Sequence, residues 1–171
     1  MTKKSIYLTE LNTSFIVSYL LLVNNLEVHK TTSPSENFTP FTKEKIYEWL
    51  STIQAKEDRA DFAIIEKESN SFIGEVVLNH IKDDSANIRI AILPQFFDKG
   101  FGTMAMKLSI EHGFKKLKLK KITLGVYEIN PRAIKVYTKL GFKETHREKE
   151  GAYTSIKMSL FRDNFLYQEK S

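Results

Sequence analysis

The chain contains no cysteine, which excludes disulfide staples, a thiolate nucleophile and cysteine-based zinc sites. It has no long apolar run. The most apolar stretch, residues 15–23, is too short to cross a bilayer and is interrupted by Ser18. Its histidines, His29, His80, His112 and His146, show no metal-ligand spacing, and no Gly-x-Ser-x-Gly elbow is present. Zinc and serine-hydrolase chemistry therefore have no support. Repeats and low-complexity segments are also lacking. An excess of one charge is mild: the formal net charge is +5, enough to favour acidic partners but too small to define one. With 171 residues, 42% of them hydrophobic and no charged-then-apolar leader, the expectation is one cytoplasmic domain over residues 1–171, its core at about 6–162.

What is present is organised around residues 88–114. Ile88, Ile90 and Ile92 alternate with Arg89 and Ala91, the period of a strand with one apolar face. Pro94 stops that strand, and Gly100 and Gly102 open a helix expected over 103–112. A glycine turn lets backbone N–H groups converge, and a helix N-terminus adds the positive end of a dipole. The segment thus has the form of a phosphate or pyrophosphate site, or of a plain structural turn. A P-loop is absent, because Thr103 and Met104 follow Gly102. The dinucleotide pattern matches at Gly100, Gly102 and Ala105, but only about 70 residues follow, too few for a doubly wound sheet.

Elsewhere, Ile6, Leu8 and Leu11 predict a first strand and its exit. Asn12 or Thr13 caps a helix expected over 14–25 and, being apolar nearly all round, expected to be well buried. Residues 29–41, rich in Thr, Ser and Pro, read as a long loop. Ile46, Trp49, Leu50 and Ile53 predict an amphipathic helix over 43–54, with Trp49 in the core. Strands at 61–66, 72–80 and the central 88–92 read as consecutive and antiparallel. Lys115, Lys116, Lys118, Lys120 and Lys121 form a basic run best explained as a solvated helix end, with no aromatic interleaving to suggest RNA. A strand at 122–126, parallel to the central one, precedes a helix started by Asn130-Pro131 and ended by Gly141. Two closing strands, 142–147 and 153–160, and a loosely held tail after Asp163 complete the chain.

Two segments carry a family resemblance. Residues 88–114 resemble motif A of the GNAT N-acetyltransferases, a strand followed by Arg/Gln-x-x-Gly-x-Gly/Ala and a helix; Gly100 and Gly102 match, while Phe97 stands where Arg or Gln is usual and Asp98 follows it. Residues 130–142 resemble motif B, Asn-x-x-Ala-x-x-x-Tyr-x-x-x-Gly-Phe, at Asn130, Ala133, Tyr137, Gly141 and Phe142. The order of elements, with the strand Phe72-Ile-Gly-Glu75, looks most like the branch holding the RimJ/RimL ribosomal-protein N-terminal acetyltransferases and the spermidine acetyltransferases.

The resemblance implies an α/β GNAT acyl-CoA N-acyltransferase fold, a mixed, mostly antiparallel sheet with helices on both faces. It implies acetyl transfer from acetyl-CoA to a primary amine, a protein N-terminus first and a polyamine or other small amine second. The implied cofactor contacts are Ile92, Leu93, Lys99, Gly100, Phe101, Gly102, Thr103, Asn130, Ala133 and Tyr137, with no metal. Tyr137 is the implied acid for the departing thiolate, and a backbone N–H near Ile92 or Leu93 the oxyanion donor. Glu75, in the strand before the central one, is the first choice of base, and a water wire ending at backbone carbonyls is the alternative; Asn87, at a position where relatives often have Glu, cannot act as a base. Phe97, Asp98 and Asn87 also motivate a non-catalytic CoA-binding module on the same fold. Expected partners are acetyl-CoA and an amine acceptor, without membrane or nucleic acid; the sequence permits a homodimer.

Overall fold

The structure, a computed structural model, describes residues 4–35 and 37–170; one position of the expected 29–41 loop, Glu36, lies outside the described residues. Seven strands form one sheet: β1 (Ile6–Glu10), β2 (Ala60–Glu66), β3 (Ser71–Lys82), β4 (Ser85–Ile92), β5 (Lys121–Tyr127), β6 (Lys143–Glu150) and β7 (Tyr153–Phe161). Their order is β1-β2-β3-β4-β5-β7-β6. Every neighbouring pair is antiparallel except β4 and β5. The helices are α1 (Ile16–Val23), α2 (Leu26–Thr32), α3 (Lys43–Thr52), α4 (Phe101–Lys115), α5 (Pro131–Lys139) and α6 (Arg162–Lys170).

Helices cover both faces, as the sequence leads one to expect. On one face Phe101, Ala105, Met106, Ile110 and Phe114 of α4 pack on Ile64, Val76, Leu78 and Ile88. On the other, Tyr19 and Leu22 of α1, Val28 of α2, and Ile46 and Leu50 of α3 pack on Ala63, Ile65 and Phe72. Asp83 and Asp84, both at positive φ, make the two-residue turn between β3 and β4.

Three expectations are corrected. The segment 14–25 is not well buried: only Tyr19 and Leu22 of α1 are, while Val17 and Leu21 are 66% and 64% exposed, because one side of the helix faces outward. The start of the long loop is helical. Asn25 accepts from the N–H groups of Glu27 and Val28, and the hydroxyls of Thr31 and Thr32 donate to the Val28 carbonyl. The tail is docked rather than loose: Phe165 of α6 is buried against Phe114, and Lys115 pairs with Glu169 at 3.3 Å.

Two irregularities shape the site. The β4–β5 ladder holds only three pairs, ending at Asn87↔Thr123, after which the strands diverge. In β3, Gly74 pairs with Ile64 and Phe72 with Ile65, so Ile73 bulges out. A Cβ at Gly74 would collide with the Ala91 carbonyl, so only glycine allows β3 and β4 this close approach.

Candidate active site

Where β4 leaves β5, its backbone opens. Leu93 N–H donates to the Ile73 carbonyl (2.9 Å), which makes the adjacent Ile92↔Gly74 pair a non-hydrogen-bonded one. The N–H groups of Ile92 and Ile90 therefore point toward β5, beyond the end of the ladder. Of the two oxyanion donors considered from the sequence, Ile92 has an open N–H and Leu93 does not. The side chain of Leu93 is buried with the α1–α3 cluster.

A cavity of about 240 Å³ lies at this opening. Its floor is Ile90, Ala91 and Ile92, one wall is Gly100 to Thr103, and the other is Asn130, Arg132, Ala133, Val136 and Tyr137 of α5 and its cap. Gly100 caps α4 at φ +84°, a left-handed conformation suited to glycine, so the helix begins at Phe101, two residues earlier than expected. The first intrahelical bond in this turn runs from Met104 N–H to Gly100 C=O, which leaves the N–H groups of Phe101, Gly102 and Thr103 unpaired by the helix. A Cβ at Gly102 would touch only Ile92 Cδ1 at 3.5 Å, an ordinary contact. The protein's own packing therefore does not require glycine there; a ligand approaching the backbone would. Asn130 accepts from Ala133 N–H (3.2 Å) and fixes the α5 start.

These features fit a phosphate-bearing ligand. Eight of the ten residues implied as cofactor contacts line the cavity: Ile92, Gly100, Phe101, Gly102, Thr103, Asn130, Ala133 and Tyr137. The ring of Phe101 itself is core, set edge-on against Phe96. Leu93 and Lys99 lie outside. Lys99 donates to the Gln95 carbonyl (2.7 Å) and lies over the Phe96 ring, which turns its ammonium away. The sequence reading missed Arg132 and the α2 contributors Glu27, Val28, Thr31 and Thr32. Arg132 was visible as a cation inside motif B; α2 carried no comparable signal.

Tyr137 packs its ring edge-on against Phe142. Among the described residues its hydroxyl has no hydrogen-bond partner, and burial pushes it up to about 12, so it stays protonated at neutral pH.

A second cavity, of about 510 Å³, lies beneath α1, α2, α3 and the 33–41 segment. Asn24 holds that segment by exchanging two hydrogen bonds with the Phe41 backbone (2.8 and 2.9 Å). Its lining includes Tyr19, Trp49, Glu75 and Arg89. Glu75 is no solvated strand residue: it is 6% exposed, and among the described residues its Oε2 has no hydrogen-bond partner. Burial pushes its carboxyl above the ordinary range, against the opposing pull of Arg89 and the Tyr19 hydroxyl. Burial and the neighbouring Glu75 charge raise Tyr19 in turn. Trp49, expected in the core, is half-buried instead, with the Arg59 guanidinium stacked 4.6 Å from its ring centre. Arg59 is itself held by bidentate bonds to buried Asp61 (2.7 and 2.8 Å).

The two cavities share Val28, Thr32, Ile90 and Ala91. They meet on β4, with the glycine turn and Tyr137 on one side and Glu75 on the other. Among the described residues no cluster of His, Asp or Glu could hold a metal, and no helix is long and apolar enough to cross a membrane.

A cleft at a splayed parallel strand pair, with a glycine-opened helix on one rim and an Asn-capped helix on the other, is the architecture implied by motifs A and B. The chain belongs to the GNAT acetyltransferase domain family, whose model matches residues 11–143. Among its relatives is the spermidine N(1)-acetyltransferase of Escherichia coli, 36% identical over 102 residues, which are 56% of this chain and 54% of that protein. The Vibrio cholerae spermidine N(1)-acetyltransferase is 32% identical over 111 residues, 60% of this chain and 64% of that one. The matches thus span little more than half of these relatives. In fold, the chain is similar to the crystal structure of the Vibrio cholerae spermidine N-acetyltransferase in complex with CoA and spermine, with a TM-score of 0.83 at 22% identity over 94% of this chain and 98% of that one. A GNAT-family acetyltransferase from Bacillus anthracis gives a TM-score of 0.80 at 16% identity, covering 94% and 98%. Apart from the Bacillus anthracis protein, these are named spermidine acetyltransferases, so the GNAT family stands and the spermidine side of the expected branch is the one the relatives match, without a RimJ/RimL assignment.

Proposed function

We propose that this protein transfers acetyl from acetyl-CoA directly to a small primary amine, with a polyamine such as spermidine as the acceptor. The observation that carries the reading is the junction of the two cavities at Ile90 and Ala91. It offers a donor channel and an acceptor channel that share one stretch of strand. The polyamine acceptor is supported by the named activity of the curated relatives, and it takes precedence over the protein N-terminus expected from sequence.

In this reading the N–H groups of Phe101, Gly102 and Thr103 receive the phosphates of the donor, as a helix N-terminus does. The amine enters through the second cavity and attacks the thioester carbonyl. The Ile92 N–H donates to the oxyanion that develops. Glu75, directly or through water, takes the proton released from the amine; its raised pKa makes it a stronger base than a solvated carboxylate. As the C–S bond breaks, the Tyr137 hydroxyl donates a hydrogen bond to the departing sulfur. A phenol near 12 is a weaker acid than a thiol, so it stabilises the thiolate before any full proton transfer.

A second reading rests on charge. Arg89 and Lys45 line the acceptor cavity, and Glu75 is the one carboxylate among its described lining residues. That balance favours an amine that also carries an anionic group. The deciding experiment is CoA-thiol release with acetyl-CoA and either spermidine or a carboxylate-bearing amine. Turnover with spermidine supports the first reading; turnover only with the anionic amine, lost in Arg89→Ala, supports the second; none with any amine, despite acetyl-CoA binding, supports a non-catalytic CoA-binding module.

A further inference from the structure

The phosphate turn of this chain lacks the side chain that its motif usually supplies. Phe97 stands in place of Arg or Gln, and Asp98 adds a carboxylate beside the anion site. The opposite rim carries a cation that answers both departures. Arg132, in the first turn of α5, lays its guanidinium 4.1 Å from the centre of the Phe97 ring and 3.5 Å from Asp98 Oδ1. All three residues line the same cavity as Gly100 and Gly102.

We infer that Arg132 is a phosphate-binding residue of the donor cavity, presented from α5 on the Phe97 ring and held by Asp98 until the ligand's phosphate takes its place. This rests on the acetyl-CoA reading above. The physical case has three parts. A planar guanidinium on an aromatic face keeps its N–H edge available for a second partner, so Phe97 orients Arg132 without consuming its donors. The Asp98 pair is weak enough to exchange: the two side chains are 75% and 48% exposed, and exposed ion pairs contribute little. A phosphate offers more acceptors than Asp98 and binds guanidinium bidentately. The guanidinium then does from α5 what the missing side chain at position 97 would do from the loop.

The shared chemistry is a phosphate, and CoA carries two kinds, the diphosphate and the ribose 3′-phosphate. The test is calorimetric binding of CoA and of 3′-dephospho-CoA to the wild type, Arg132→Ala and Arg132→Lys at several salt concentrations. Arg132→Ala should weaken CoA binding by about 10- to 100-fold, the range for a charge-assisted hydrogen bond, and flatten its salt dependence. Arg132→Lys keeps the charge but not the fork or the stack, and should recover only part of the loss. An equal loss with both ligands assigns Arg132 to the diphosphate; a loss confined to CoA assigns it to the 3′-phosphate. Unchanged affinity and salt slope in a folded Arg132→Ala protein would overturn the inference while leaving the acetyl-CoA reading intact. A wild type that binds no CoA overturns both.

A second variant tests the exchange. Asp98 sits at φ +57°, a conformation asparagine adopts readily. Asp98→Asn should tighten CoA binding severalfold, because the phosphate no longer competes with a carboxylate. A loss as large as that of Arg132→Ala would instead make the ion pair itself the reason Arg132 matters.

Discussion

Glu75 Oε1 lies 3.9 Å from an Arg89 guanidinium nitrogen, with the Glu75 side chain 8% exposed and that of Arg89 52% exposed. The pair is lopsided. The carboxylate has lost its water, and its partner keeps most of its own, so the attraction only partly offsets desolvation. That explains why the Glu75 carboxyl is held above the ordinary range despite a neighbouring cation.

The first prediction follows from that imbalance. The folded-state pKa of Glu75 is raised above its unfolded value of about 4.3, so the group's contribution to stability is fullest below that value and is lost as pH rises through the folded one. Glu75→Gln should therefore raise the unfolding midpoint at pH 7, on a scale of about 2–4 °C per kcal/mol, with the gain shrinking toward pH 4. Turnover should fall in the same variant, and the acid limb of the wild-type pH–rate profile should disappear. Scanning calorimetry and rates across pH check both; a lowered midpoint at pH 7 would contradict the account.

Tyr137→Phe removes a hydroxyl with no hydrogen-bond partner among the described residues and keeps the ring against Phe142. The expected outcome is a kcat loss of about 100-fold, at the low end for a positioned acid, with acetyl-CoA affinity nearly unchanged. Rates matching the wild type would remove Tyr137 from the chemistry.

Gly102→Ala separates packing from binding. The added methyl meets only Ile92 Cδ1 at 3.5 Å, so the unfolding midpoint should hold within about a degree, in line with a surface change. CoA affinity should drop roughly tenfold, as backbone approach to the phosphates is obstructed. Undiminished affinity would place the phosphates away from this turn.

Gly74→Ala behaves in the opposite way. Its Cβ would meet the Ala91 carbonyl, a backbone atom that cannot rotate aside. A loss of about 3 kcal/mol is expected from such overpacking, read as a fall of roughly 10 °C in the unfolding midpoint, with a loss of turnover because β3 and β4 carry Glu75 and Ile92.

Phe165→Ala tests the docked C-terminal helix. Phe165 is 3% exposed and its ring centre lies 5.6 Å from that of Phe114. Removing it should cost about 3–5 kcal/mol, measured by denaturant unfolding; a loss under about 0.5 kcal/mol would restore the picture of a loose tail.

The strands, the glycine turn and both motif helices were legible because each carries a local signal. Ile88, Ile90 and Ile92 alternate, Asn130-Pro131 starts a helix, and Gly141 at φ +102° ends one. What was not legible depends on partners distant in sequence. The threonine-rich stretch that reads as loop is helical where Val28 anchors α2, buried in one cluster with Leu22, Ile46 and Ile65. The helix α6 is docked chiefly through Phe165, too little to produce a period. The burial of Glu75 follows from its place in a central strand just past the Ile73 bulge, which no pattern along β3 reveals. Arg132 was in plain view within motif B, yet its relation to Phe97 exists only once α5 is laid beside the phosphate turn.

The three-pair seam between β4 and β5 has a consequence for assembly. On one side, β2, β3 and β4 are joined by short turns; on the other, β6 and β7 close as a neighbouring hairpin. The two half-sheets are joined along the chain only by the crossover through α4, and the ladder between them is the shortest in the sheet. The narrowest joint is thus also where the donor would bind. A ligand touching both the Gly100–Gly102 rim and α5 would act as a clasp on the whole molecule, and each release of that ligand would briefly undo it.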